Sequence, residues 1–261
     1  MYRIYISTFG QRVIKVDGGV PIEVGAANRN NFIYQLHDNT GENISTENEY
    51  YGELTGLYWI WKNTDIQDDD IVGFCHYNKS LNISEKKARQ WLNQNPTGFI
   101  TLEPCWVRDH PVEEEVAAWC HSLSTFGGHY IDAFHFLYDD KAEAKGEVCR
   151  GGNMFITNGI TFKKYCEWLF GICNKVREEV GDKSNVEPNM RRYCAYCGER
   201  MLAVYIYANN LPALGIKRRY KKWWLPFIRS IVKFFNINRN SIVYKYLSKK
   251  YGYVSQYKKN S

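Results

Sequence analysis

Apolar and polar residues alternate from Met1 to Thr8, the period of two that predicts a first β-strand. The polar turn that follows, residues 9–12, would set backbone amides at that strand's C-terminal end, where α/β folds hold ligands. Short apolar runs at residues 71–75 and 98–102 read as buried strands, and a loop from Arg150 feeds another that ends at Asn158. Between them the period changes to that of helices. Thr46 and Glu49 have capping-box spacing ahead of a stripe formed by Leu54, Leu57, Tyr58 and Trp61. Residues 84–93 turn Ala88, Trp91 and Leu92 inward, residues 113–121 are helical, and residues 122–146 show no clear period. A longer helix carries Phe162, Tyr165, Cys166, Leu169, Phe170, Cys173 and Val176 on one face and ends at Gly181. The last one aligns Cys194, Cys197, Met201 and Val204. Gly18-Gly19-Val20-Pro21 reads as a turn. Strands separated by helices predict an α/β fold.

Composition narrows this picture. With 261 residues, 44% hydrophobic and 24% charged, the chain is globular, and its 16% aromatic share suits flat ligands, a membrane interface or, equally, a Tyr-rich core. The N-terminus lacks the apolar core of a signal peptide, and no run reaches the roughly 18 apolar residues of a membrane span, so a cytosolic location is expected. Eight irregularly spaced cysteines do not form a disulfide framework, and the single Cys-x-x-Cys falls on a core stripe. No metal site is expected. Residues 201–261 hold thirteen Lys and Arg and no Asp or Glu, which leaves the first 200 residues at a net −7. The expected division is an α/β domain over 1–211 and a basic, aromatic extension over 212–261. In that extension Trp223, Trp224, Arg229 and Lys233 have the character of a segment lying on an anionic membrane, the alternative being a C-terminal helix docked on the body with its charges solvated, and no nucleic-acid-binding motif accompanies the charge.

Candidate chemistry gathers in a few places. His76, Tyr77, Asn78 and Lys79 follow the apolar run 71–75, at the C-terminal end of a strand. Asp38, Asn39, Gly41 and Asn43 lie in a loop that leads to a helix start, a place for an anion or ordinary turn chemistry. Glu53 sits at the edge of an apolar stripe, either half-buried and paired or solvated. Glu199 and Arg200 lie between two apolar faces, as a structural salt bridge or as part of a site. Asp68-Asp69-Asp70 precedes its strand, at the end away from the expected site, and reads as a solvated turn rather than a metal site.

Taken together, residues 21–27, 38–45, 53–59, 61–63, Gly73, Cys75-His76-Tyr77, Asn153-Met154-Phe155-Ile156, Tyr165-Cys166, 168–170 and 199–202 resemble a family of domains of unknown function. That family occurs in capsular polysaccharide, exopolysaccharide and lipopolysaccharide gene clusters and is often labelled glycosyltransferase. The resemblance covers roughly residues 1–207. Two positions differ: the family usually follows His-Tyr with two arginines, where this chain has Asn78-Lys79, and places His and Lys after the first-strand Thr, where it has Phe9-Gly10.

The resemblance implies a single Rossmann-like, GT-A-like domain with a mixed sheet flanked by helices. It implies transfer of a hexosyl group, galactosyl among the candidates, from a nucleotide-sugar, foremost a UDP-hexose, to a lipid-linked oligosaccharide at the inner face of the cytoplasmic membrane. Glu199, Glu53 and His76 would then be catalytic, with Asp38 the next candidate base. Thr8, Asp38, Asn39, Gly41, Asn43, Tyr77, Lys79, Asn153 and Arg200 would bind the donor. The Asp-x-Asp of metal-dependent transferases is missing near residues 75–77, so basic or His side chains, including Lys221 and Lys222, are expected to carry the diphosphate charge. The alternative is a non-catalytic subunit that binds nucleotide-sugar or glycan in a membrane polysaccharide assembly complex.

Overall fold

The computed structural model describes residues 1–103, 113–138, 152–183, 185–187, 191–220 and 227. Among them the sheet has eight strands: β1 (Tyr2–Thr8), β2 (Gly19–Glu23), β3 (Ile71–His76), β4 (Lys79–Leu81), β5 (Phe99–Leu102), β6 (Phe155–Asn158), β7 (Ala213–Ile216) and β8 (Arg218–Tyr220). Their order is β2-β1-β3-β6-β5-β7, with β4 hung from β3 and β8 from β4. β1 is parallel to β2 and β3, β6 is antiparallel to β3 and β5, and β7 is parallel to β5. The sheet is mixed, as expected.

The period of two splits each strand between two cores. Tyr5, Val72, Phe74, Phe99 and Phe155 pack in the larger core, together with side chains of α2 (Leu54–Asn63), α4 (Glu113–Ser124), α5 (Gly128–Tyr138), α6 (Gly159–Val180) and α7 (Tyr193–Ala208). Ile4, Ile6, Ile71, Cys75, Ile100, Leu102 and Ile156 pack in a thinner core with Ala88 and Leu92 of α3 (Glu85–Gln94). Each fully buried Leu, Ile or Phe in these layers stabilises the fold by about 1.5–3 kcal/mol relative to exposure.

The predicted stripe of α6 is buried throughout. At the start of α6, the first two N–H groups are taken by backbone rather than a side-chain cap: Gly159 N donates to Asp70 O (2.7 Å) and Ile160 N to Asp68 O (3.1 Å). The Asp68–Asp70 turn therefore seats a helix. Asp70 departs from the solvated reading, since it is buried and its carboxylate accepts the N-terminal amine and Gln67 N.

Three segments differ from the sequence reading. Residues 19–23 form a strand, because β2 is an outer strand in which Pro21 needs no ladder donor. The helix expected from Thr46 is divided into a 3₁₀ turn (Ser45–Glu47), α1 (Asn48–Tyr51) and α2, with Gly52 at the break. Asn48 Nδ2 donates to Gly52 O at 2.7 Å, and the same carbonyl accepts Thr55 N at 3.3 Å, so the break is held by a side-chain bond as well as by backbone. Residues 128–138 are helical, and Tyr130, Ala133, Phe134 and Leu137 supply a buried face. Trp223, Trp224, Arg229 and Lys233 lie outside the described residues.

Candidate active site

β3 delivers His76 to its C-terminal end, and the two-residue connection Tyr77-Asn78 turns directly into β4, so that His76 and Lys79 face each other across the ladder. β4 in turn pairs with β8, with Leu81 opposite Arg218. On the other side, α2 starts just after Glu53, β6 is preceded by Asn153, and α7 carries Glu199. These elements converge on one polar cluster under the helices.

Glu53 is its best-anchored member. Only 8% exposed, it accepts hydrogen bonds from Asn153 Nδ2 at 3.2 Å and from an Arg192 guanidinium nitrogen at 3.0 Å. Burial pushes its pKa up, but the fields of His76 and Arg192 and the Asn153 hydrogen bond outweigh this and leave it below the ordinary value. His76 itself is neutral at pH 7, because burial and the neighbouring Lys79 push its pKa down to about 3. Arg192 is thus the lasting counter-charge of Glu53.

Glu199 has the opposite tendency. Burial first, and the nearby Glu53 carboxylate second, raise its pKa, against the fields of Lys79, Arg200 and Arg192. The Lys79 pKa is lowered by burial and by Arg218, and raised in part by Glu199 and Glu53. Three cations, Lys79, Arg192 and Arg218, therefore stand around two carboxylates, one of which is held toward its neutral form. Within the cluster His76 Nε2, Asn153 Oδ1 and Arg218 Nε are buried with no hydrogen-bond partner among the described residues. Buried polar atoms are rarely left without partners, so three together make this cluster the candidate ligand site.

Gly52 lets Arg192 reach Glu53. Its φ of 53° and ψ of −130° are strained for a residue with a side chain, and a Cβ there would lie 2.5 Å from the Arg192 guanidinium. Gly52→Ala is expected to cost more than about 1 kcal/mol in urea unfolding. An unchanged midpoint would show that Arg192 moves aside freely.

Of the residues expected from the sequence, Glu53, His76, Lys79, Asn153 and Glu199 come together here, with half-buried Tyr77 in the β3–β4 turn. Others are placed differently. Asp38 is fully buried and saturated by four donors: Gly25 N and Ala26 N (each 2.9 Å), and the Ser45 and Thr55 hydroxyls (each 2.5 Å). Its carboxylate closes a scaffold joint. Asn43 bonds Gly41 O and Ser45 N within its own loop, Asn39 is exposed, and the loop is fastened to α2 by Trp59 Nε1 on Thr40 O. The Thr8 hydroxyl donates to Gln11 O at 2.6 Å in its own turn. Arg200 is 4% exposed and packs over the Trp119 and Tyr138 rings, at 5.1 and 6.0 Å, on the side of α4 and α5. Arg192 and Arg218 were not singled out from the sequence. Arg218 had a signal, as the inward position of an alternating basic and aromatic run, whereas Arg192 had none.

The fold and cluster define a mixed α/β domain with a polar, cation-rich site where the sheet's strand order reverses. The chain belongs to the DUF4422 family, a domain of unknown function whose model matches residues 3–117 and 127–210. Among solved structures it is similar to "WbbM bifunctional glycosytransferase apo structure", with a TM-score of 0.68 and 22% identity. The match covers 84% of this chain and 45% of that one, so the chain corresponds to less than half of that structure's length. No curated protein matches it.

Proposed function

We propose that the chain is a glycosyltransferase of bacterial surface-polysaccharide synthesis, moving a hexosyl group from a nucleotide-sugar to a lipid-linked oligosaccharide. The observation that carries this reading is the convergence of Glu199, Glu53, Lys79, Arg192 and Arg218 at the C-terminal end of β3, in a fold shared with a glycosyltransferase chain. Lys79 and Arg218 supply the charge that stabilises a departing diphosphate in a site shielded from water. Arg192 holds Glu53, which with Asn153 shapes the floor. Glu199, the carboxyl whose pKa is raised toward neutrality, is the general base. In an inverting transfer it takes the acceptor hydroxyl proton as that oxygen bonds the anomeric carbon. The bond to the diphosphate breaks, and its electron pair leaves with the nucleoside diphosphate. The basic residues beyond Pro212 suit an anionic membrane surface and a diphosphate-linked lipid acceptor. Among the described residues no helix is long and apolar enough to cross a membrane.

The test is release of nucleoside diphosphate from a UDP-hexose in the presence of the natural lipid-linked acceptor. Lys79→Ala and Arg218→Ala are each expected to lower kcat/KM roughly 10- to 150-fold, the loss of one charge-assisted contact. Donor binding with no turnover on that acceptor would favour the non-catalytic binding subunit instead.

A further inference from the structure

The sheet separates two layers of opposite charge. On the thinner core lie the β1–β2 connection, α3 and the β7–β8 segment. Residues 9–18, 82–95 and 213–220 of this layer hold eight Lys and Arg against two acids, Asp17 and Glu85, and Glu85 is committed to Arg89 at 2.7 Å. Glu103, whose N–H donates to Ile216 O at 3.0 Å, adds a third acid at the edge. On the larger core the balance is reversed. There residues 45–63, 113–138, 159–180 and 193–208 hold eleven Asp and Glu against six Lys and Arg. The acidic excess of the first 200 residues therefore lies away from the thinner core.

Apolar feet fix the basic charges in place. Val13 and Val16 pack on the thinner core, buried Ile14 donates its N–H to Tyr77 O at 2.7 Å, and Arg12 and Lys15 are left exposed. In α3, Ala88 and Leu92 face inward, so the outer side presents Lys86, Lys87, Gln90, Asn93 and Gln94 without an acid among them. At the edge of the layer Asn82 N donates to Lys217 O at 3.1 Å, which ties the β7–β8 segment to the lead-in of α3, and Lys217 and Arg219 are exposed. Arg218 between them belongs to the polar cluster.

A charged surface that is sorted by a sheet orients the molecule toward an extended polyanion, which one layer attracts and the other repels. The chain leaves β8 at Tyr220 directly into residues 221–261, where ten Lys and Arg and no Asp or Glu follow. Body layer and extension thus form one basic surface. The extension interleaves its charges with Trp223, Trp224, Phe234 and Phe235, aromatic content that suits a lipid interface.

We propose that the basic layer made by the β1–β2 connection, α3 and the β7–β8 segment docks on an anionic lipid bilayer, with the polar cluster at the rim of the contact. The docking is independent of the transferase reading; only its use, presentation of a lipid-anchored acceptor beside Lys79 and Arg218, rests on that reading. Sedimentation of the full chain with vesicles tests it. Binding to vesicles of equal parts phosphatidylglycerol and phosphatidylcholine is expected to exceed binding to phosphatidylcholine alone by at least about 10-fold, and to be lost in 1 M salt, where screening acts within about 3 Å. Lys86→Gln/Lys87→Gln is expected to weaken binding to the mixed vesicles roughly 25-fold, about 5-fold for each charge taken from a membrane contact. Lys164→Gln/Lys175→Gln removes the same charge from exposed positions of α6 on the other face, and is expected to change binding less than about 2-fold, as charges beyond a screening length do. All four lysines are exposed, so both variants should melt like the parent. Equal weakening by the two variants, or weakening by neither, overturns the proposal, since net charge or the extension alone then carries the binding. Tighter binding to a DNA duplex than to the mixed vesicles overturns it too. Vesicle binding is read without turnover, so these failures leave the transferase reading in place.

Discussion

Glu199→Gln is expected to reduce kcat by at least about 10²-fold while nucleoside diphosphate affinity stays within a few-fold, the signature of a lost general base. The environment argues for this residue over Glu53. Glu53 is committed to Arg192 and Asn153 and is held ionised, which suits a positioning role. Glu199 is only partly enclosed, and burial together with Glu53 raises its pKa, so it is the better proton acceptor near neutral pH. In the parent, kcat should therefore fall on the acid side of a pKa above the usual carboxylate range, a limb that the Gln variant's residual activity lacks.

The same shift has a stability consequence of defined sign. A carboxyl whose folded pKa is raised binds more protons in the native state than in the unfolded one, so stability falls as pH rises from the unfolded pKa through the folded one. Removing the charge should then stabilise the protein at pH 7, by about 0.5–2 kcal/mol, as substitutions at strained functional sites do. A variant that is both inactive and more stable cannot be dismissed as misfolded. Unchanged turnover would remove Glu199 from the mechanism.

Asp38→Ala should have the largest effect on stability, at least about 4 kcal/mol in urea unfolding. Four donors from three segments meet on this carboxylate: Gly25 and Ala26 beyond β2, Ser45 at the start of the 3₁₀ turn and Thr55 in α2. Each donor left buried without an acceptor costs about 1–3 kcal/mol, with some recovery where water enters the space. Such a loss is a large part of the roughly 5–15 kcal/mol that holds a domain folded. An unaltered unfolding midpoint with lost nucleotide binding would return Asp38 to the ligand site.

These two acids show how far the residues could be read in advance. Glu199 was legible as an enclosed charge, because the apolar positions on either side of it repeat with helical period and the environment of a helical residue follows from its neighbours in sequence. Asp38 was legible as important within a loop of Asn, Thr and Gly, but its partners were not. Backbone N–H groups and two hydroxyls leave no side-chain pattern that separates a scaffold joint from an anion site. The strand at residues 19–23 was obscured by Gly18, Gly19 and Pro21, residues that usually mark a turn and are tolerated here only because β2 is an outer strand.

By itself the sequence determined the alternating strands, the buried helical stripes, the acidic body with its basic end and the α/β class, since each depends on periods and charges read over a few neighbouring residues. Only the tertiary structure decided which charges share a site. Residues 53, 76, 79, 153, 192, 199 and 218 are scattered along the chain, and they meet because β6 pairs antiparallel with β3, β8 pairs with β4, and α7 packs against α1. Those pairings are set by long-range burial of the two sheet faces, a cooperative property that no local window of the chain contains.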